Sequence, residues 1–145
     1  MTKELYDQIA TTLQEKITYL QQLIDDLRAS NNDTKSSMGD KYETSREMMQ
    51  QEITRIQNQL NEVLIQQEQF AKIGVKTNDI IGLGSYVETS MGNFCIAVSL
   101  GEIIYHSKKV FVLSPITPLA KLLIGKKVGD IYTLNNKEHR VLVVD

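Results

Sequence analysis

The chain has 145 residues, a formal charge of −2 and an apolar fraction of 41%, which suits one ordinary domain or a small domain carrying an elongated element. That balance excludes a strongly disordered or strongly basic protein, so non-specific nucleic-acid binding is not expected. No run reaches the roughly 20 apolar residues of a membrane span or has the form of a signal peptide, and the single Cys95 allows neither an intrachain disulfide nor a thiol pair for a metal; the expectation is a cytoplasmic protein in a reducing compartment, with no membrane association.

From the N-terminus, Leu5, Ile9, Leu13, Ile17, Leu20, Ile24 and Leu27 recur at steps of three or four and therefore share one helix face. The pattern resumes at Met49 and continues through Ile53, Ile56, Leu60, Val63 and Phe70, interrupted only by Gln67. The first 73 residues contain no Pro and a single Gly, Gly39. Each stripe is as narrow as a coiled-coil seam, so neither helix can bury it alone, and each predicts the other as its antiparallel partner across a turn at Asn31 to Gly39. Helices of about 28 residues at about 1.5 Å per residue make a finger roughly 40 Å long.

Between the stripes lies NNDTKSSMGDKYETSREMM, far longer than a helix-to-helix turn needs. On its own chemistry Asp40, followed three residues later by Glu43, reads as a capping box at the start of the second helix. Asp33 sits near the end of the first helix, where the dipole disfavours a carboxylate. Tyr42 reads as a packing aromatic, and Arg46 with Glu47 as solvated helix surface.

At KIGVKTNDIIGLGS the helical period stops and short β-rich runs begin. The runs predict strands at Ile80 to Glu88, Phe94 to Ser99 after an SMGN turn, Lys109 to Leu113, Ile131 to Leu134 and, after NNK, His139 to Val144. Thr117 caps a short helix from Pro118 to Ile124 that Gly125 closes. The chain thus divides into a finger, residues 1–73 with a tip loop near 31–41, and residues 74–145, one short helix over an antiparallel sheet of about five strands. The fold class is α+β. Charge divides the same way: 8 Lys or Arg against 12 Asp or Glu up to Ile73, a net of −4, and 8 against 6 from Gly74, a net of +2.

Several motifs exclude themselves. Gly82-Leu83-Gly84 lacks the third glycine and the following helix of a nucleotide loop. His106 and His139 have no Cys or carboxylate at a zinc spacing, and no nucleophile–base constellation is present. Cys95, between Phe94 and Ile96, reads as a buried small apolar residue.

The order of elements and two motifs resemble the bacterial Gre transcript-cleavage factors, which bind RNA polymerase. SPITPLAKLLIGKKVGDIYTL, Ser114 to Leu134, looks like that family's run of Ser-Pro, short apolar helix, Leu-Ile-Gly-Lys, Gly-Asp and closing strand. In the tip stretch Asp33, Lys35, Tyr42, Arg46 and Glu47 fall in the family's order. The resemblance implies an antiparallel coiled-coil finger on an FKBP-like C-terminal domain that docks at the rim of the polymerase secondary channel while the finger reaches towards the active centre. Docking then falls to Ser114, Pro115 and Ile116, with Lys126 and Lys127 pairing with polymerase carboxylates.

The resemblance also implies that tip acids hold a second Mg²⁺ together with polymerase ligands. The candidates are Asp33, Asp40 and Glu43, supported by Lys35, Tyr42 and Arg46, with the ion shared through Asp33 and Asp40. Such a factor has no intrinsic cofactor or catalytic residue, is not an enzyme alone, and meets nucleic acid only through the transcription complex. One departure stands out: the family's Glu position falls on Ser36, and Asp33 to Tyr42 is two residues longer than the family's segment. That leaves two alternatives, a channel-occupying inhibitor and a coiled-coil dimerisation or scaffold protein.

Overall fold

The structure is a computed structural model that describes the backbone of residues 1–35 and 43–145 and the side chains of residues 1–31 and 44–145. Two long helices, α1 (Lys3–Lys35) and α2 (Glu43–Ile73), precede a sheet of six strands with one short helix, α3 (Pro118–Leu123). The chain forms two compact units, Thr11–Gln67 and a second that joins Met1–Ala10 to Glu68–Asp145. Composition changes at Ile73, where α2 ends, but the packing divides inside the helices, so the first turns of α1 and the last of α2 belong with the strands.

In the Thr11–Gln67 unit the two helices form the expected antiparallel hairpin. Gln67 Nε2 donates to Gln14 Oε1 at 3.0 Å, and Ile24 of α1 shares a groove with Gln57 and Leu60 of α2, so residue numbers run in opposite directions along the pair. Leu13, Leu20 and Ile24 face Ile53, Ile56, Leu60 and Val63 in a buried seam. Gln67, the break in the apolar pattern, meets Gln14. The helices have 33 and 31 residues, longer than the expected 28. Asn31 to Lys35 continues α1 where a turn was expected, because Asn, Asp and Thr only weaken a helix and no Gly or Pro stops it there.

In the second unit the sheet order is β3-β4-β2-β1-β6-β5, with β1 Tyr86–Thr89, β2 Asn93–Ile96, β3 Gly101–Tyr105, β4 Lys108–Leu113, β5 Ile131–Leu134 and β6 Lys137–Val144. The expected five-stranded antiparallel sheet is corrected on two counts: a sixth strand is present, and β2 pairs with β4 in parallel, Phe94 beside Phe111 and Ile96 beside Leu113. The missed strand is β3. It turns into β4 through His106 and Ser107, both at positive φ. That two-residue hairpin turn normally announces itself with Asn-Gly or Asp-Gly, and His-Ser carries no such signal. The β5–β6 turn uses the same geometry at Asn135 and Asn136, residues that tolerate it well enough to be read in advance. The first expected strand is also shortened: Ile80 to Ser85 is loop, because Gly82 and Gly84 interrupt the pairing.

Strand alternation gives this sheet two buried faces. On one, Val87, Phe94, Ile96, Tyr132 and Val141 pack with Ala120 and Leu123 of α3. On the other, Met1 Sδ lies 3.9 Å from Cys95 Sγ, Thr2 Oγ1 is 2.8 Å from Tyr105 Oη and Gln8 Nε2 donates to the Ile104 carbonyl. The start of α1 therefore meets β2 and β3, and Tyr6 stacks on Phe70 of α2 at 4.5 Å between ring centroids. Gly84 closes this join. Its φ is +91°, and a Cβ there would lie 2.8 Å from Ile73 Cγ2, so only glycine lets the loop pass the end of α2.

Candidate functional site

The tip candidates Asp33, Lys35, Asp40, Tyr42 and Glu43 have side chains outside the described residues, as does Ser36. Asp33 and Lys35 belong by backbone to the last turn of α1, and Glu43 is the first residue of α2. Arg46 is described: it is half-buried in the first turn of α2, and its Nε is shielded from solvent with no hydrogen bond among the described residues. Among the described residues no group of three His, Cys, Asp or Glu side chains could hold a metal.

The docking candidates are fully described. Ser114 and Thr117 build a tight turn between β4 and α3: Thr117 N and Oγ1 both donate to the Ser114 carbonyl, at 3.2 and 2.9 Å. The same hydroxyl accepts from Ala120 N at 3.3 Å and so caps α3 as the sequence predicts. Ser114 and Pro115 are half-buried, while Ile116, at the crest of the turn, is 76% exposed. A large aliphatic side chain held out by a hydrogen-bonded turn gains nothing for the fold.

At the other end of α3, about 9 Å away at 1.5 Å per residue, Gly125 takes a φ of +91° and closes the helix. Gly125 N then donates to the Ile81 carbonyl and Ile81 N to the Lys126 carbonyl, both at 2.8 Å. This pair of bonds brings the Ile80 loop beside the Lys126–Lys127 loop. Lys126 is half-buried and Lys127 exposed, and neither has an ion pair among the described residues. Ile80, Ile124 and Val128 are 59, 40 and 58% exposed in these loops. Sequence reasoning missed Ile80 because it was read into a strand; the glycines at 82 and 84 were the signal that it lay in a loop.

Two other lysines of this half, Lys108 and Lys109, are differently occupied. Lys108 Nζ lies 3.2 Å from Glu88 Oε1 and Lys109 Nζ 3.9 Å from Glu102 Oε1, so their charge is balanced within the sheet. Tyr86 Oη also donates to Glu88 Oε1, at 2.8 Å. That hydrogen bond, with the one from Lys108, holds the Glu88 carboxyl below the usual carboxylate range, whereas burial and the Glu88 charge push the Tyr86 hydroxyl up. Burial likewise pushes the Cys95 thiol up to about 12, which suits its place in the core and not a reactive one.

The Ile116 crest, the capped short helix and the Lys126–Lys127 loop thus all fall within the motif Ser114 to Leu134. The chain is similar to GreA-type factors. GreA factor homolog 1 of Thermus thermophilus is 19% identical over 94% of each chain, with a TM-score of 0.40. GreA factor homolog 1 of Thermus aquaticus is 20% identical over 91% of this chain and 90% of its own, with a TM-score of 0.36. A further structure of this transcription factor is 21% identical over 99% of this chain and 95% of its own, with a TM-score of 0.38. No protein-family model matches the chain, and no curated protein sequence matches it. No helix among the described residues is long and apolar enough to cross a membrane.

Proposed function

We propose that this protein is a Gre-type elongation factor that binds bacterial RNA polymerase at its secondary channel, gripping with the β-rich unit and presenting the far end of the hairpin. The observation that carries the reading is the Ser114–Thr117 turn, which holds Ile116 out at the head of α3, with Lys126 and Lys127, free of ion pairs among the described residues, past its other end, at the motif that resembles the Gre C-terminal run. Exposed aliphatics beside free cations suit a protein partner that offers an apolar socket rimmed by carboxylates, and opposite charge on the two surfaces speeds their encounter. The +2 half makes first contact with such a partner more readily than the −4 half.

Whether the tip stimulates cleavage of backtracked RNA turns on its carboxylates. Mg²⁺ takes six oxygen ligands, and two carboxylates are too few to hold it. Asp33 and Asp40 would therefore supply part of a shell completed by polymerase and RNA, and the ion would polarise the scissile phosphate and the attacking water. Ser36, standing at the family's Glu position, favours the second reading: a factor that occupies the channel without promoting cleavage.

Backtracked elongation complexes separate the two. With cleavage stimulation, adding the protein accelerates release of short 3′ RNA fragments and Asp33→Ala abolishes the acceleration while binding persists. With occupancy alone, the protein binds, fragment release is unchanged, and a cleavage factor added afterwards is competed away. Failure to bind polymerase at micromolar concentration defeats both.

A further inference from the structure

The two edges of the six-stranded sheet are finished differently. β3, at one edge, carries Glu102, whose carboxylate lies 3.9 Å from Lys109 Nζ, and its outward Ile104 carbonyl accepts from Gln8 Nε2 of α1. Charge and a covering element are the usual protections of an edge strand. β5, at the other edge, has no charge of its own. Its sequence, Ile131-Tyr132-Thr133-Leu134, contains no Pro or Gly either, and three of the four residues are β-branched or aromatic.

The pairing of β5 with β6 fixes where its backbone groups point. Arg140, opposite Ile131, spends its amide and carbonyl on Ser90, donating to Ser90 Oγ at 2.9 Å and accepting from Ser90 N at 3.0 Å. Ile131 and Arg140 are therefore a pair without mutual hydrogen bonds, and by alternation Thr133 and Glu138 are another. The amides and carbonyls of Ile131 and Thr133 thus point out of the sheet, where no hydrogen bond reaches them among the described residues. Their side chains are exposed too, Ile131 at 45%.

We infer that β5 is a self-association edge, at which a second copy of this chain adds its own β5 antiparallel across a two-fold axis at Tyr132 to make one continuous sheet. The strand is self-complementary in that register. Ile131 of one copy falls opposite Thr133 of the other, so the outward amides and carbonyls of each strand meet those of its mate and none is left over. Charge fits the same arrangement. Asp130 of one copy falls opposite Leu134 of the other, whose neighbour on β6 is Lys137. Asp130 Oδ2 accepts from Lys127 N at 3.0 Å, which leaves its second oxygen for Lys137, a residue that is exposed and has no ion pair among the described residues. A foreign strand would satisfy the backbone groups without this twice-repeated pairing of acid and lysine.

Self-association is measured on the full chain alone, by sedimentation over a concentration series, so its outcome is separate from that of the polymerase reading. One short strand pair supports a dissociation constant of about 1 to 100 μM. Ile131→Lys, which puts a charge on the open edge, is expected to raise that constant about tenfold or more, and Ile104→Lys, the same change at the 55% exposed isoleucine of the other edge, less than about twofold. Lys137→Glu, which sets an acid against Asp130, is expected to raise it about threefold or more. Unchanged melting temperatures confirm that the variants fold. In the unaltered chain the amides of Ile131 and Thr133 should gain protection from hydrogen exchange as concentration rises through the constant. A chain that stays monomeric to about 500 μM, a dimer whose constant Ile131→Lys or Lys137→Glu leaves unchanged, or a dimer in which these two amides exchange freely overturns the proposal. Protection of the two amides in a monomeric chain only on adding polymerase would also overturn it, and would assign the edge to that partner.

Discussion

The Thr11–Gln67 hairpin and the β-rich unit hide apolar side chains in different ways. In the hairpin a single seam, one side chain deep, runs between two helices whose outer positions are Gln, Glu, Lys and Thr, and Ile17 and Leu27 remain only half-buried within it. In the β-rich unit one sheet is covered on both faces, by α3 on one and by the start of α1 on the other. Ile96, Val87 and Leu123 lose all exposure; along the seam Leu13, Ile24, Ile53 and Ile56 are buried as deeply, while Leu20 and Leu60 each keep 8%. A seam holds a shape at low cost in sequence; a two-sided core holds a surface rigid enough to present Ile116. In the proposed reading, docking falls to the second kind of body and reach to the first.

That contrast breaks if equivalent truncations behave alike. Ile96→Ala removes a fully buried side chain from the sheet and should cost about 4 kcal/mol, measured by chemical denaturation. Gly84→Ala should cost roughly 2 kcal/mol, because the new methyl meets Ile73 Cγ2 and the backbone is left at a φ that alanine resists. Leu60→Ala should also cost about 2 kcal/mol, the low end for such a truncation, since the seam offers fewer neighbours and can partly collapse. Amide exchange sharpens the test. Leu60→Ala should speed exchange within Thr11–Gln67 and spare β1, β2 and β4, and Ile96→Ala should do the reverse. Uniform acceleration by both would show one cooperative body.

Smaller effects probe the β-rich unit alone. Thr117→Ala removes the α3 cap and should cost about 1 kcal/mol, with a loss of partner affinity larger than that of a distant variant of equal stability, because the same hydroxyl shapes the Ile116 turn. Two pH effects follow from opposite shifts. Glu88 titrates lower in the folded chain than unfolded, so its contribution is complete above the unfolded value near 4.5 and is lost as pH falls through the folded value. Cys95 titrates higher when folded, near 12, so stability declines as pH rises above the unfolded value near 9. Cys95→Ser should remove that alkaline slope, and the native thiol should resist alkylation at pH 8 until the chain unfolds.

The hairpin was legible in the sequence because a 3.6-residue period over some sixty residues has no competing explanation, and α3 was legible because Thr117, Pro118 and Gly125 each do one identifiable thing. The sheet was less so. β3 hides behind a His106-Ser107 turn whose residues do not advertise positive φ, and the parallel β2–β4 pairing depends on a crossover that short runs cannot specify. At the candidate site the motif pointed to Ser114, Pro115 and Ile116, but the neighbouring Ile80 and Ile124 come together only through the Ile81 hydrogen bonds to Gly125 and Lys126. Lys108 and Lys109 looked equivalent to Lys126 and Lys127 as sequence; the fold balances the first pair with Glu88 and Glu102 and leaves the second pair free of ion pairs among the described residues.

The most direct test of the account is an equilibrium titration of the fluorescently labelled full chain with bacterial core RNA polymerase, run beside Ile116→Asp. The account predicts saturable binding at micromolar concentration or tighter, and a loss of about tenfold or more for Ile116→Asp with its melting temperature unchanged, because the side chain is exposed and contributes little to the fold. Saturable binding that Ile116→Asp leaves untouched, or no binding at all, would contradict it.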